Sequence, residues 1–572
     1  MHLLLLSVHL LLLTHDSQQY CSDGKPKDCL EAEFAPGTTL GGEGFDITKM
    51  EPKGAYVIDM NQWKRKDKSC TLCSNPFLEN KKQKLPLSVV DWRPKQSCSA
   101  KVSSQLHKSS ESVVSSTTAS IQNNWKVNLD VNVAARSGNL MLAGTNSKMA
   151  EYSMEKTKND KYSFSSQSMS CEFYRYRLSN TPKLHREFKR AVNKLPKAYN
   201  AKSKQQFYGL IQKFGTHYIT KVQVGGSVMS VTSIRECEAS LQGLSVEEVQ
   251  ACLEVEAAAS FGSAASAKTE AKHCKSDIQK SDRKSSFASS FNDRFTEIKG
   301  GHNTEPDLLF SASKDPSAYK DWLSTLPQHP DIISYALDPL HELLPAQAPA
   351  RSNLRSAISH YILETGLWRN CSAPCPNGVK TDPRDPCVCQ CHNNAAVNTD
   401  CCPTERGLAR VVITVQRADG LWGDHTTATD GYVKVYRGKS VWRSGVIYNN
   451  NNPHFRYVID WGTVNLAENK VRFEVWDEDN KYDDDLLGEC ERFLTAGVKD
   501  DVCNLQHGRL FFRWHVQCAP NLGGSLCKDY KASPMNPSLK ARFRSRHAHP
   551  VPEALLQEWG VVRDKSTQTV EE

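Results

Sequence analysis

The sequence predicts a multidomain protein: a long α+β region, a small module held by disulfides, and a C-terminal all-β sandwich. Three observations carry that expectation. The 572 residues leave room for about three or four domains of roughly 100 to 200 residues each. Seven of the 20 cysteines crowd between Cys371 and Cys402, in a stretch too poor in large apolar residues to fold on a core alone. Beyond them, β-branched and aromatic runs are separated by turn-rich loops, the pattern of a sandwich. Hydrophobic residues at 39% and charged residues at 24% exclude a mainly disordered or collagen-like chain. The net charge of +8 is too diffuse, without a basic stripe or a reading motif, to point to nucleic acid.

Residues 1–17 read as a secretory signal, with an apolar run from Leu3 to Leu13 ahead of polar Thr14 to Gln19. A membrane-spanning helix needs about 20 apolar residues, and no segment supplies them, so the mature chain is expected to be soluble. An even number of cysteines fits disulfides in an oxidising compartment. Asn370-Cys371-Ser372 is a glycosylation sequon, which makes Asn370 a candidate glycan site and agrees with export.

The region from 18 to 365 mixes helical and strand signals. Ser245-Val246-Glu247-Glu248 is a capping box opening a short helix whose apolar face is Val246, Val249 and Leu253. Between Pro306 and Leu344, apolar anchors alternate with Pro327, Pro330 and Pro339, so helices there are expected to be short. Two stretches alternate as strands do. Trp125, Val127, Leu129, Val131 and Val133 interleave with polar residues, and Leu253, Val255, Ala257, Ala259 and Phe261 alternate with Glu254, Glu256, Ala258 and Ser260. A half-buried strand of a soluble sheet explains either one. So does a barrel strand of about 9 to 11 residues with one face toward lipid. Phe287, Phe291 and Phe295 recur every four residues, a spacing that keeps one face in a helix and in a strand alike.

The cysteine-rich module fills 366–407. Cys-x-Cys-x-Cys can bind zinc, but export favours disulfides. Its seven cysteines are odd in number, as are Cys237, Cys252 and Cys274 upstream, so a bridge between the regions is expected, from Cys237 to Cys401 or Cys402. The sandwich occupies 408–527, with strand-like runs at Val411–Val415, Tyr432–Tyr436 and Val471–Trp476 and an Asn449–Pro453 turn. The tail, 528–572, is polar and basic through Lys540, Arg542, Arg544 and Arg546 and is expected to be disordered.

Phe214-Gly215-Thr216-His217-Tyr218 is followed after six residues by Gly225-Gly226. This spacing resembles the signature of the membrane attack complex/perforin superfamily, which usually opens with Tyr or Trp where this chain has Phe214. The order of modules is similar as well. Paired glycines in the strand-like run Ile219 to Val231 permit a bulge, a sharp bend or close backbone approach. His217, in an apolar strand, is expected to be a satisfied core residue. The resemblance implies an α+β domain whose bent antiparallel central sheet is flanked by helical clusters, followed by an EGF-like module and a C2 sandwich. It further implies that the sheet opens at the glycines and that two helical clusters unfurl into transmembrane hairpins. Here these segments run from about 125 to 178 and from about 237 to 299. Lipid-facing candidates are then Trp125, Val127, Leu129, Val131, Val133, Leu253, Val255, Phe261, Phe287, Phe291 and Phe295. Storage in cytotoxic granules and passage of granule proteases into target cells are also implied.

Asp477, Glu478, Asp479, Asp483, Asp484 and Asp485 fall within nine positions after a strand, a crowding that is repulsive unless a cation binds. Calcium takes about six to eight oxygen ligands. An EF-hand does not fit, because Tyr482 stands where that loop needs glycine. The pattern resembles C2 calcium loops, with Asp424 and Asp430 in the first loop, Asp477, Asp479 and Asp485 in the third, and Asp483 assisting. Trp422 and Tyr482 lie on those loops, where amphipathic rings suit a headgroup interface.

A calcium-dependent cytolysin that docks on the phospholipid of a target-cell membrane, forms homo-oligomeric rings and inserts hairpins accounts for these features. A non-lytic membrane-binding or adhesion protein is the alternative. Catalysis is not expected, since Gly-x-Ser-x-Gly, His-Glu-x-x-His and Gly-x-x-x-x-Gly-Lys are all missing.

Overall fold

The computed structural model describes residues 20–131, 140–157, 160–261, 291–302, 305–310, 316–368, 378–380, 389–391, 394, 396–423, 427–479, 483–532 and 549–561. Two long strands organise the first domain. Strands β1 (Val89–Cys98) and β2 (Ser103–His107) pair with β3 (Tyr162–Leu178). That strand pairs with β4 (His217–Arg235), and β5 (Arg294–Lys299) and β6 (Asp331–Pro339) complete the other side of β4. Every pairing is antiparallel. The strand β4 is rich in β-branched residues, and Ile219, Val222, Val224, Val228, Val231 and Ile234 are all buried, which suits a pleated, covered surface.

Helices α1 (Ser110–Thr117), α2 (Lys148–Thr157), α3 (Lys204–Phe214), α4 (Val246–Phe261), α5 (Pro316–Thr325) and α6 (Pro349–Glu364) surround the sheet. The large core joins Phe207 and Ile211 of α3 and Leu354, Ile358 and Ile362 of α6 to Tyr174, Tyr176, Val222 and Val224 of the sheet. Two smaller cores lie apart from it. One holds Val113 and Val114 of α1 and Met149 and Ala150 of α2 against Phe164 and Val231. The other holds Val249 and Leu253 of α4 with Ile234 and Phe291. The central sheet is thus flanked by helical clusters, each seated mainly on its own small patch, with Ala257 of α4 reaching into the large core.

At the glycine pair the ladder slips: Val224 faces Tyr174 and Gly225 faces Glu172, leaving Phe173 unopposed, a bulge that bends the strand. A Cβ on Gly225 would lie 1.9 Å from the carbonyl oxygen of Cys171, and one on Gly226 would lie 2.5 Å from Trp322 and Leu326. Both positions need glycine for close approach. Gly225→Ala is expected to lower unfolding stability by about 1–3 kcal/mol, measurable by denaturant titration.

Several expectations are corrected. Trp125 to Val131 form successive turns, not a strand of the soluble sheet. Val127 N–H bonds Asn124 and Leu129 N–H bonds Lys126, and Asn128 takes a positive φ of 63°, so the backbone satisfies itself locally. Trp125, Leu129 and Val131 are buried there while Val127 is half exposed; Val133 lies outside the described residues. Leu253, Val255 and Phe261 are on α4, a helix, and the capping box forms, with Ser245 N–H on Glu248 and Glu248 N–H on the Ser245 hydroxyl. Phe291 and Phe295 do not share a helix: Phe295 is already in β5, opposite Val231, and Phe291 is buried just before it. Phe287 lies outside the described residues. The stretch from 306 to 344 holds α5 but also the unforeseen strand β6, tolerated because Pro330 precedes it and Pro339 is its last residue. The tail is partly ordered. Residues 549–550 pair with Leu367–Trp368, Glu553–Glu558 is helical, and Val551 and Val561 are buried.

Cys237 bonds to Cys402, tying the first domain to the module as the odd cysteine counts required. The same junction is polar: Lys161 pairs with Glu236 at 2.6 Å and donates to the Asp400 carbonyl, while Asp160 accepts from Tyr530 and Asn521. The sandwich holds two four-stranded sheets. One has the order β10 (Tyr457–Asn465), β7 (Leu408–Asp419), β14 (Arg509–Cys518), β13 (Gly497–Asn504). The other runs β9 (Ser440–Arg443), β8 (Gly431–Arg437), β11 (Lys470–Asp477), β12 (Asp485–Phe493). Val411, Ile413, Phe473, Phe512 and Trp514 fill the space between them.

Candidate metal and membrane site at the sandwich loops

Strand register gathers the aspartates at one end of the sandwich. Gly431 of β8 and Asp485 of β12 both face Asp477 of β11, and Asp430 immediately precedes β8. Asp477 is only 3% exposed, and one of its oxygens accepts the Asp430 N–H at 2.6 Å. The other lies 1.8 Å from where a Cβ on Gly423 would stand, so the first loop passes over this carboxylate with bare backbone. Asp430 in turn accepts the Asn449 N–H at 2.7 Å, and its carbonyl accepts the Glu478 N–H at 3.0 Å.

The acidic cluster is sorted by its partners. Glu478 is held by Arg443 at 2.6 Å and by the Tyr448 hydroxyl at 3.2 Å. Asp484 accepts from Tyr432 at 2.7 Å, and burial together with that bond pushes the phenol up. Asp479, Asp483 and Asp485 are exposed at the rim. Asp424 and Tyr482 lie outside the described residues. No three His, Cys, Asp or Glu side chains converge to hold a metal ion among the described residues. The donor chemistry nevertheless fits a hard cation: a buried carboxylate under a glycine cradle, with further carboxylates beside it and no nitrogen or sulfur ligand.

Trp422 is 48% exposed and stacks on His507 with ring centroids 4.9 Å apart. Tyr448, which the sequence did not single out, is 64% exposed beside Asp430 and Glu478. The Asn449–Pro453 turn also does more than connect strands. Asn451 accepts the Thr429 N–H at 2.9 Å and Asn452 the Gly420 N–H at 2.8 Å, bracing both ends of the first loop. The run of asparagines was the available signal, since each carries a side-chain acceptor for backbone N–H groups.

The residues of the glycine signature have a different role. Phe214 closes α3 against Phe188, and Gly215 (φ 85°) ends the helix where a Cβ would meet the Phe45 backbone at 2.5 Å. Thr216 accepts the Ile47 N–H, and Tyr218 continues β4. His217 is fully buried, with Nδ1 on the Thr216 hydroxyl at 2.8 Å and Nε2 donating to the Trp125 carbonyl at 3.1 Å. Burial pushes its pKa down to about 3, so the folded protein keeps it neutral. The unfolded chain protonates near the ordinary value, so this histidine's contribution is complete above about pH 6.5 and is lost as pH falls toward 3. At pH 5 the protein is expected to be less stable by about 2 kcal/mol than at pH 7.4 on this account. His217→Asn, compared at both pH values by denaturant titration, should remove that part of the difference. Asn370 lies outside the described residues.

The chain matches the MAC/Perforin domain family over residues 35–370, the Perforin-1-like EGF domain over 370–404 and the C2 domain over 409–505. It is similar to Perforin-1 of Homo sapiens, at 41% identity over 92% of this chain and 96% of that one. Perforin-1 of Mus musculus is 39% identical over 91% and 95%. A solved C2 domain is 30% identical over 19% of this chain and 98% of its own length, with a TM-score of 0.17.

Proposed function

Because the chain belongs to the MAC/perforin family, we propose that it is a secreted, calcium-dependent cytolysin that docks through its C2 sandwich, assembles into rings and inserts β-hairpins. It is a pore-forming rather than a catalytic protein. The observation that supports insertion best is the seating of the two helical clusters. Each rests largely on a small core of its own, while Ala257 of α4 and Trp125, Leu129 and Val131 of the first segment also join the large core, so insertion has those contacts of the main core to release. No helix among the described residues is long and apolar enough to cross a bilayer. Lipid-facing positions then fall at Trp125, Val127, Leu129, Val131, Val133, Leu253, Val255, Phe261, Phe287, Phe291 and Phe295. One subunit supplies too few strands to enclose a wide aqueous pore, so rings follow from the mechanism.

Docking rests on the loop acids. Asp424, Asp430, Asp477, Asp479 and Asp485 would hold calcium, with Asp483 assisting. The bound ion would neutralise the loop tips and offer a positive centre to lipid phosphate. Trp422 and Tyr482 would enter the headgroup layer. Storage in granules, passage of granule proteases and a glycan on Asn370 belong to the same reading and rest on the resemblance and the sequon. The test is a calcium titration of vesicle pelleting. Trp422→Ala should weaken vesicle affinity about tenfold, in line with the roughly 1.5–3 kcal/mol carried by a large apolar side chain, and leave the half-saturating calcium unchanged. Equal pelleting would remove Trp422 from the docking surface.

A further inference from the structure

Two histidines meet just beyond the end of the second hairpin segment. His302 follows β5, and His329 lies in the turn between α5 and β6, so both stand outside the segments expected to insert. Their ring centroids are 4.1 Å apart with the planes tilted by 50°, and both residues are exposed. The backbone that carries them is cross-braced. The Gly301 N–H donates to the His329 carbonyl at 2.7 Å, the His302 N–H to the Thr325 hydroxyl at 2.9 Å, and the Trp322 indole N–H to the Gly300 carbonyl at 2.8 Å. Gly300 and Gly301 take successive positive φ angles of 72° and 71°, a turn that glycine alone accepts easily. The two histidine backbones are therefore held side by side by bonds that no ligand has to make.

The ring nitrogens of this pair are unspent. His107, His217 and His360 each place a ring nitrogen on a hydroxyl or a carbonyl, whereas among the described residues no group hydrogen-bonds a ring nitrogen of His302 or His329. Imidazole nitrogen suits zinc, copper and nickel, while calcium and magnesium take oxygen. Zinc–nitrogen bonds of about 2.0–2.1 Å at a tetrahedral angle put two ligating imidazole centroids about 5 Å apart. The pair therefore has to part by about an ångström to hold one ion, a movement that side-chain rotation supplies in exposed residues. No third His, Cys, Asp or Glu joins them among the described residues, so water or a small solute would complete the coordination. We propose that His302 and His329 form a two-histidine site for a transition-metal dication of the zinc and copper class, distinct from the acidic loops of the sandwich.

Zinc is the probe, added to the full chain in excess calcium so that the loop acids do not compete for it, with affinity read against a chromophoric chelator. His302→Gln and His329→Gln should each weaken one zinc equivalent at least about tenfold, because losing even a group that only orients a metal ligand typically costs about 10- to 100-fold in affinity. Both rings are exposed, so without zinc the variants should melt with the parent. A measurement on the parent decides the matter should a variant fail to fold. Diethyl pyrocarbonate modification of His302 and His329, mapped by mass spectrometry, should fall for both together as zinc is added and stay unchanged with calcium alone. Parental zinc affinity in either folded variant overturns the site, as does protection of neither histidine or of only one. So does loss of the zinc equivalent in His547→Gln with His549→Gln, a closely spaced pair in the tail, while His302→Gln keeps it.

Discussion

Asp485→Asn is expected to abolish vesicle binding at a calcium concentration that saturates the parent, and lysis with it. Asp485 stands opposite Asp477 in the ladder, and Asp430 reaches the same carboxylate through its own N–H. Asparagine keeps the shape but removes an anionic oxygen, so half-saturating calcium should rise on the order of 100-fold, given how steeply affinity follows ligand charge. Asp430→Asn should behave alike, with a small additional cost because the Asn449 N–H loses a charged acceptor. Asp484→Asn is the contrast. Asp484 is committed to Tyr432, so its replacement should leave the calcium midpoint nearly unchanged. Normal lysis by Asp430→Asn at limiting calcium would remove these residues from the site.

The second large effect concerns insertion. Thr157, at the end of α2, and Ser110, at the start of α1, are buried with their hydroxyl oxygens 3.5 Å apart. This is close enough for paired cysteines to bridge with little backbone movement. Ser110→Cys with Thr157→Cys should pin α2, which lies inside the first hairpin segment, to α1, which lies outside it. The oxidised variant should bind vesicles at the parental calcium midpoint and release no dye, and mild reduction should restore release. The parent treated with the same reductant controls for the native bridges, among them Cys237–Cys402. Full release by the oxidised variant would show that this cluster need not move.

What the sequence made legible depended on how local the determinants were. Strand runs such as Val411–Val415 and Val471–Trp476 carry their own β signal, and Asp430, Asp477 and Asp485 end up together because they flank neighbouring strands. Cysteine parity called for a bridge between the two regions, with Cys401 or Cys402 as the partner of Cys237, and the structure selects Cys402. Other features depend on tertiary partners. Trp125 to Val131 alternate as a strand would, yet no sheet edge pairs with them; they fold into turns, and the Trp125 carbonyl accepts from buried His217. The strand β6 was obscured by prolines that turn out to sit at its ends. The tail's Val551 and Val561 are too few to signal a fold; they are buried because residues 549–550 pair with Leu367–Trp368, the Val551 N–H bonds the Gly366 carbonyl and Val561 joins the large core. The brace from Asn451 and Asn452 to the first loop crosses between loops, and spacing along the chain does not show it.

Release of dye from sealed liposomes, followed with and without calcium while binding is measured on the same samples, tests the central claim most directly. The account predicts release that begins only once calcium has brought the protein to the membrane and that rises more steeply than binding, because rings must assemble first. Saturable calcium-dependent binding with intact liposomes would contradict it and leave a non-lytic membrane-binding protein in its place.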